Sequence, residues 1–436
     1  MNILLIKPCW PYPKSKGEFT YNRIWPPLSL MNCAALLEKE KHSVKILDAH
    51  AERIVPSALK DYAIGFDKIF VTSSSIDRWQ CPNMALEPFF ESMQEIKKVN
   101  RSVYIMGSHG TLQPERILNL TGATAIIRGE PEISVLEICR NKDLREIKGI
   151  TFKKDDEILS NGDRAPLDMT SLPIPAFRLI KLKQYFYEIL GNNFALFEIS
   201  RGCPYSCVFC SKQMYGNTVR RKLTKQITAE LTEAIDCHGV KSGYFIDLEF
   251  SINDDIMDEI CDFLIKKRSG FKWCCQMRID RISEAMLAKM KKAGCRLIHS
   301  GIESGSDKTL KIVNKNIRLR ETERKIRLVK QAGIEILCFF MLGFPHETTK
   351  DMQTTIDFAK RLNPTYATFH TVIDYNNASV HGNHGKETSP TLDTRKMARK
   401  AFLQFYLRGS YLCSRILYSN PASLWRQIRL FLEYLR

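Results

Sequence analysis

Long apolar runs are missing. No stretch of this 436-residue chain reaches the ~20 apolar residues that a bilayer span needs, so no transmembrane helix is expected. The opening Met1–Lys7 lacks the basic leader and the longer apolar core of a secretory signal, and a cytoplasmic protein is expected. Internal repeats and low-complexity tracts are absent, which argues against solenoids and disordered arrays. Acidic residues are scarce, 48 against 65 Lys and Arg, for a formal net charge of +17. That balance favours an anionic partner or a phosphate-bearing ligand without choosing among them. No recognised nucleic-acid module accompanies the charge, which makes nucleic acid the weaker option.

A hydrophobic share of 44% is ample for sizeable cores, and the length suggests about two or three domains. The 14 cysteines are not spaced as in a small secreted scaffold, and the chain is too long to need disulfide staples. Most of them read as buried small hydrophobes.

Residues 1–145 alternate apolar strands (Ile3–Ile6, Val44–Leu47, Ile69–Thr72, Val103–Met106, Ala125–Arg128) with helical patterns at Leu28–Lys39 and Phe89–Val99. This alternation predicts an α/β domain with a doubly wound parallel sheet, ligands lying at the carboxyl ends of its strands. Residues 146–190, with a short hairpin over Gly149–Asp168 and then Pro166, Pro173 and Pro175, read as a linker. Strands recur at Phe194–Ser200, Gly243–Asp247, Trp273–Arg278, Leu297–Glu303, Ile334–Leu342 and Tyr366–Val372, with helices between. Six such units predict a partial (β/α)6 barrel over 191–380. Residues 381–436 read as a basic helical extension.

Ser200 to Cys210 reads Ser-Arg-Gly-Cys-Pro-Tyr-Ser-Cys-Val-Phe-Cys directly after a strand. Cys203, Cys207 and Cys210 cannot share one helix face, but they can wrap one cluster from a loop. Soft thiolates suit iron. A cubane cluster needs four ligands, so three cysteines leave one iron open to a non-protein ligand. Zinc would want a fourth protein ligand, and Ser211, Lys212 and Gln213 offer none.

These residues resemble the radical S-adenosylmethionine (SAM) superfamily, whose hallmark is a Cys-x3-Cys-x2-Cys loop after the first strand of a partial barrel. The resemblance implies a [4Fe–4S] cluster whose open iron chelates SAM, with one-electron cleavage to methionine and a 5′-deoxyadenosyl radical. It further implies SAM contacts by Phe209, by Asp247 and Glu249 at the second strand, by Gln276 and Arg278 at the third, by Glu303 at the fourth and by Gly343 at the fifth. On the residues alone, Glu303 and Arg278 could instead pair with each other across the barrel.

The N-terminal turns carry small residues where a large ligand needs close backbone approach. Ser73, Ser74 and Ser75 end the third strand, Gly107, Ser108, His109 and Gly110 the fourth, and Gly129 and Glu130 the fifth. The set resembles the cobalamin-binding domains fused to one class of radical SAM enzymes, with Trp79 placed to cover the lower face of the corrin. Asp48-Ala-His50 imitates the Asp-x-His-x-x-Gly cobalt-ligand motif, but Arg53 replaces its Gly and it follows the second strand instead of the first. His50 is therefore read as structural.

The resemblance implies a methyltransferase acting on an unactivated carbon of a small-molecule substrate, with flavodoxin or ferredoxin as electron donor; a hydrophobic substrate would fit a membrane location of the tail. A cobalamin-dependent cyclisation or rearrangement is the alternative. A transfer-RNA methylthiotransferase would use Cys9, Cys33 and Cys81, but that family's surrounding motifs are missing. A non-catalytic cobalamin or redox sensor fits poorly with an intact three-cysteine loop. In the tail, Arg395–Arg436 holds nine basic residues and one acidic residue, Glu433. Trp425, Ile428, Leu432 and Leu435 form one apolar helix face. That face is expected to cover the open side of the barrel, or to lie as a peripheral contact on an anionic membrane.

Overall fold

A computed structural model describes residues 1–10, 24–75, 86–252, 254–373, 391–418, 421, 424–425 and 428. The chain forms two compact units that do not follow chain order. The first gathers Met1–Tyr187, Asn192–Cys203 and Lys212–Lys241; the second gathers Glu188–Gly191, Pro204–Ser211 and Ser242–Arg436.

In the first unit, β1 (Asn2–Lys7), β2 (Ser43–Asp48), β3 (Lys68–Thr72), β4 (Val103–Met106) and β5 (Ala125–Ile127) run parallel. They are extended by antiparallel β6 (Ile150–Lys154) and β7 (Glu157–Ser160). The order β2-β1-β3-β4-β5-β6-β7 is that of an open doubly wound sheet with an antiparallel edge. Helices cover both faces, which is why Ile3, Leu4, Leu5 and Ile6 form an unbroken apolar run with no exposure at all. Phe89, Met93 and Ile96 recur at helical spacing on the helix Glu87–Lys97 and pack into the same core. The β6–β7 hairpin, which the sequence groups with the linker, is part of this sheet. Asp155 and Asp156, both at positive φ (47° and 67°), make its two-residue turn.

Buried charge gathers at the carboxyl ends of β1 and β2. The Lys7 ammonium donates to Asp48 at 3.2 Å and to the Trp25 carbonyl, and the Tyr185 hydroxyl donates to Asp48 at 2.8 Å. His50 is buried beside them, its Nδ1 without a hydrogen-bond partner among the described residues. Burial, and then the nearby Lys7 charge, pull its pKa down to about 4, so the ring is neutral at physiological pH. Cys33 is wholly buried on the helix Leu28–Lys39, as expected of a core residue.

Two short strands, β8 (Phe186–Tyr187) and β9 (Gly191–Asn192), precede β10 (Phe194–Phe197), β11 (Ser200–Arg201) and β12 (Arg220–Arg221); β11 and β12 pair antiparallel. The second unit holds β13 (Ser242–Phe245), β14 (Lys272–Gln276), β15 (Cys295–Glu303), β16 (Glu335–Leu342) and β17 (Tyr366–Thr371), all parallel and neighbours in chain order. Helices Asp254–Lys267, Glu284–Lys292, Leu319–Gln331 and Thr349–Leu362 connect them. On β16 the burial alternates. Ile336, Cys338, Phe340 and Leu342 are fully buried, and Leu342 packs on Met352 and Ile356 of the following helix. Leu337, Phe339 and Met341 point the other way and are only half-buried. The fold class is thus the expected one, a doubly wound α/β domain followed by a parallel (β/α) barrel.

The tail departs from expectation. Helix Leu392–Tyr406 covers the edge strand β17: Phe405 is fully buried against Phe369, and the Tyr406 hydroxyl bonds both backbone groups of Ala367 (3.0 and 2.8 Å). Trp425 and Ile428, the expected barrel cover, stand 69% and 42% exposed. Leu432 and Leu435 lie outside the described residues. Among the described residues no helix is long and apolar enough to cross a membrane.

Candidate functional site

The cysteine loop is set by a turn that only glycine tolerates. Gly202 has φ +88°, and a Cβ there would lie 2.1 Å from the Thr218 carbonyl oxygen. Cys203 follows, its N–H donating to the Gly216 carbonyl at 3.4 Å. Cys203, Cys207 and Cys210 are all partly exposed. Within the second unit, segment 204–211 is held from below by Val313–Lys315. The Val208 N–H donates to the Val313 carbonyl (3.1 Å), and the Asn314 amide donates to the Ser206 carbonyl (3.0 Å) and hydroxyl (2.5 Å). Phe209 packs on Phe344 with ring centroids 5.9 Å apart, and beside Val313, Met341 and Val372. Among the described residues no group of three or more cysteine, histidine or carboxylate side chains stands ready-assembled around a metal position.

The alternative pairing of Arg278 with Glu303 does not form. Glu303, buried at the end of β15 and itself at φ +66°, pairs with Lys315 at 3.0 Å. Gly301 makes room for it, since a Cβ there would lie 2.1 Å from the Glu303 carboxylate. Arg278 instead binds Asp280 (3.0 Å), donates to the Lys315 carbonyl (2.8 Å) and lies over the Tyr205 ring at 4.0 Å. Burial works against the charge on Lys315, but Glu303 first and Cys207 after it outweigh it, and the ammonium is held above its usual range. Arg278 is likewise held up against burial, by Asp280 first and Cys207 after it.

The remaining expected SAM contacts are near by but partly engaged. Glu249 accepts the Arg278 N–H (2.6 Å) and both the Ser251 N–H (3.2 Å) and hydroxyl; burial still pushes its carboxyl upward. Gln276 donates to the Leu248 carbonyl (3.2 Å), and Asp247 is buried just past β13. Gly343, at φ +88°, and Phe344 donate their N–H groups to Glu347 at 3.0 and 3.1 Å. Lys315, Tyr205, Asn314 and Glu347 escaped the sequence reading. Lys315 lies in the loop after a short helix and belongs to no motif; only the need of a buried Glu303 for a cation could have pointed to it.

In the first unit the expected cobalamin turns meet at the carboxyl ends of β3, β4 and β5. The Ser73 hydroxyl donates to the Met106 carbonyl (2.9 Å) and accepts the Gly110 N–H (3.1 Å); Ser74 accepts the Ser108 N–H (2.9 Å). Ser75 is buried after them. Gly107 and Gly129 have φ of 99° and 71°, and a Cβ on Gly110 would press on Ile126 at 2.9 Å. The Ser108 hydroxyl is buried without a partner among the described residues, and His109 is half-buried beside it. Glu130 is fully engaged by arginines, described below. Trp79 lies outside the described residues.

Both groups fit the residues present. Thiolates of an iron–sulfur cluster are anionic, and Lys315 and Arg278 place compensating charge at Cys207. Backbone freed of side chains at Gly107 and Gly129, with the Ser108 hydroxyl lacking a partner among the described residues, suits a large polar ring lying on the strand ends.

A three-cysteine loop feeding a parallel barrel whose strand ends carry buried charge is the architecture of the radical SAM class. Residues 197–359 match the model of the Radical SAM superfamily. A relative from Pyrococcus horikoshii, named an uncharacterized methyltransferase, is 28% identical over 98% of this chain and 97% of its own length. An anaerobic magnesium-protoporphyrin IX monomethyl ester cyclase from Rubrivivax gelatinosus is 26% identical over 84% of this chain and 67% of its own. Among solved structures, the radical SAM methyltransferase TsrM from Kitasatospora setae, with cobalamin and a [4Fe–4S] cluster bound, aligns at TM-score 0.66 and 17% identity over 85% of this chain and 72% of that one. The stretch 197–359 is a Radical SAM domain.

The Lys315–Glu303 pair is directly testable. Lys315→Met leaves a buried carboxylate unpaired and should cost about 3–5 kcal/mol in chemical denaturation. Adding Glu303→Gln should recover most of that loss, since the neutral pair carries no stranded charge. Equal stability of the single and double variants would contradict the pairing.

Proposed function

We propose that the protein is a cobalamin-dependent radical SAM methyltransferase that modifies an unactivated carbon of a small molecule. The observation that carries this reading is the Cys203–Cys207–Cys210 loop, set off by the Gly202 turn and held by Val313 and Asn314 of the second unit. When bound, the cluster and SAM supply a one-electron route to a hydrogen-abstracting radical, and cobalamin supplies the methyl group.

The chain's own residues provide position and exclusion. Phe209 and Phe344 wall the cluster loop with apolar surface. Glu303, Gln276 and Asp247 offer polar groups at the strand ends toward the amino and carboxylate groups of SAM. The half-buried faces of Leu337, Phe339 and Met341, with His299 in ring contact with Tyr244 (4.9 Å) and Phe339 (5.8 Å), suit a substrate with appreciable apolar area and few polar groups. Ser73–Ser75, Gly107–Gly110 and Gly129 form the cobalamin side, and His50, buried and neutral, is structural. An electron donor of the flavodoxin or ferredoxin kind reduces the cluster. The cyclase relative supports ring formation as a second outcome of the same radical chemistry.

Anaerobic reconstitution tests the reading. The protein should take up about four irons per chain, with an electron resonance spectrum that changes on adding SAM. Its cobalamin should show a base-off visible spectrum that survives His50→Ala. Unchanged iron content after Cys203→Ala, Cys207→Ala and Cys210→Ala together would sink the cluster, and a histidine-ligated spectrum lost in His50→Ala would sink the structural reading of His50.

We infer a peripheral membrane contact as a finer reading of the partners. Ile416, Leu417 and Trp425 stand 68%, 72% and 69% exposed on the basic tail. Such apolar side chains among arginines suit an anionic headgroup layer. In flotation with anionic liposomes, the full chain should float and a chain ending before Ile416 should not. Equal behaviour of the two removes this contact.

A further inference from the structure

Glu130 follows Gly129 in the turn after β5, and its carboxylate grips both ends of the cysteine loop at once. Arg201, the last residue of β11 and two residues before Cys203, reaches it at 3.1 Å. Arg220, the first residue of β12 beyond the loop, reaches both of its oxygens at 2.9 and 2.8 Å. The Leu167 N–H adds a further bond at 2.7 Å. The middle of the loop is tied to the same turns. The Thr111 hydroxyl donates to the Met214 sulfur (3.0 Å) and accepts the Gly129 N–H (2.9 Å), while Arg220 donates to the Tyr215 carbonyl (3.1 Å).

A carboxylate has about four lone-pair sites, and these contacts address all of them. The Glu130 side chain is 8% exposed. Little capacity remains for a further ligand. Arg201 has two other carboxylates, Glu132 at 2.6 Å and Glu198 at 2.9 Å. The other acceptors found for Arg220 are the Leu167 and Tyr215 carbonyls. Loss of Glu130 therefore releases chiefly the downstream end of the loop.

We propose that Glu130 is a positioning residue that fastens both ends of the cluster-binding loop to the turn after β5, and that it is not a contact of cobalamin. The proposal rests on the reading of Cys203, Cys207 and Cys210 as cluster ligands. A loop closed at both ends has fewer conformations in which its thiolates drift apart, so iron retention is the quantity the clamp controls.

The test uses the full chain, reconstituted anaerobically with iron and sulfide, in four forms: wild type, Glu130→Gln, Arg220→Gln and Glu132→Gln. Iron loss to EDTA is followed, and hydroxocobalamin is titrated by its visible spectrum. Glu130→Gln and Arg220→Gln should lose iron about tenfold faster than wild type, because each strands a buried partner at the loop end. Glu132→Gln takes a carboxylate from Arg201 but leaves both loop ends on Glu130, and should stay within about twofold of wild type. Hydroxocobalamin affinity should agree within about twofold in all four forms. If Glu130→Gln does not fold, Arg220→Gln decides alone. Wild-type iron retention in the Glu130 and Arg220 variants overturns the clamp. So does equal acceleration in Glu132→Gln, which would mean general destabilisation, and so does lost cobalamin affinity with iron retention intact. A wild-type chain that takes up no cluster refutes the cluster reading itself, and the clamp with it.

Discussion

The structure depends on a buried arginine that cannot be left alone. Arg201 is almost fully enclosed, and three carboxylates from two segments, Glu130 and Glu132 from one and Glu198 from the other, converge on it. Burial alone would push such a guanidinium toward neutrality; Glu132 first, then Glu198 and Glu130, hold its charge in place. With three carboxylates on it, the guanidinium stays paired when one is lost, and only stripping it of all of them would strand a buried charge. The arrangement fixes the backbone immediately before Gly202, and Gly202 in turn sets the direction from which Cys203 leaves the strand. The start of the cysteine loop is thus determined by charge pairing and by one residue without a side chain.

The second unit applies the same rule at the strand ends. Glu303, Lys315, Arg278 and Glu249 are buried polar groups in the mouth of a barrel, and each has a named partner, the more exposed Asp280 pairing with Arg278. Lys315 joins two tasks. Its ammonium holds Glu303, and its carbonyl holds Arg278, while the two residues before it hold segment 204–211. The apolar half of the same unit leaves Phe339 and its neighbours half-buried, a surface that a substrate can complete.

Much of this was legible in the sequence because it is local. Strands with buried apolar runs, such as Val103–Met106, and helices with strong periodicity, such as Leu28–Lys39, fall where their patterns place them. The cysteine spacing and Gly202 were equally plain. What the sequence hid are pairings between distant positions. Glu130 meets Arg201 and Arg220 across 71 and 90 residues, and nothing in its own neighbourhood marks it as a clamp instead of a ligand. The hairpin Ile150–Ser160 looks like a linker until its strand finds β5. Glu303 could have paired with Arg278, since both are polar barrel residues, yet the turn after the helix Asp307–Ile312 brings Lys315 to it.

The central claim is that the cysteine loop turns SAM into a radical source. The most direct measurement is the product of incubating the reconstituted, dithionite-reduced protein with SAM, without substrate. The account predicts slow release of 5′-deoxyadenosine and methionine in equal amounts, absent in Cys210→Ala. A fully loaded, reduced cluster that leaves SAM intact, or yields no 5′-deoxyadenosine, would contradict it.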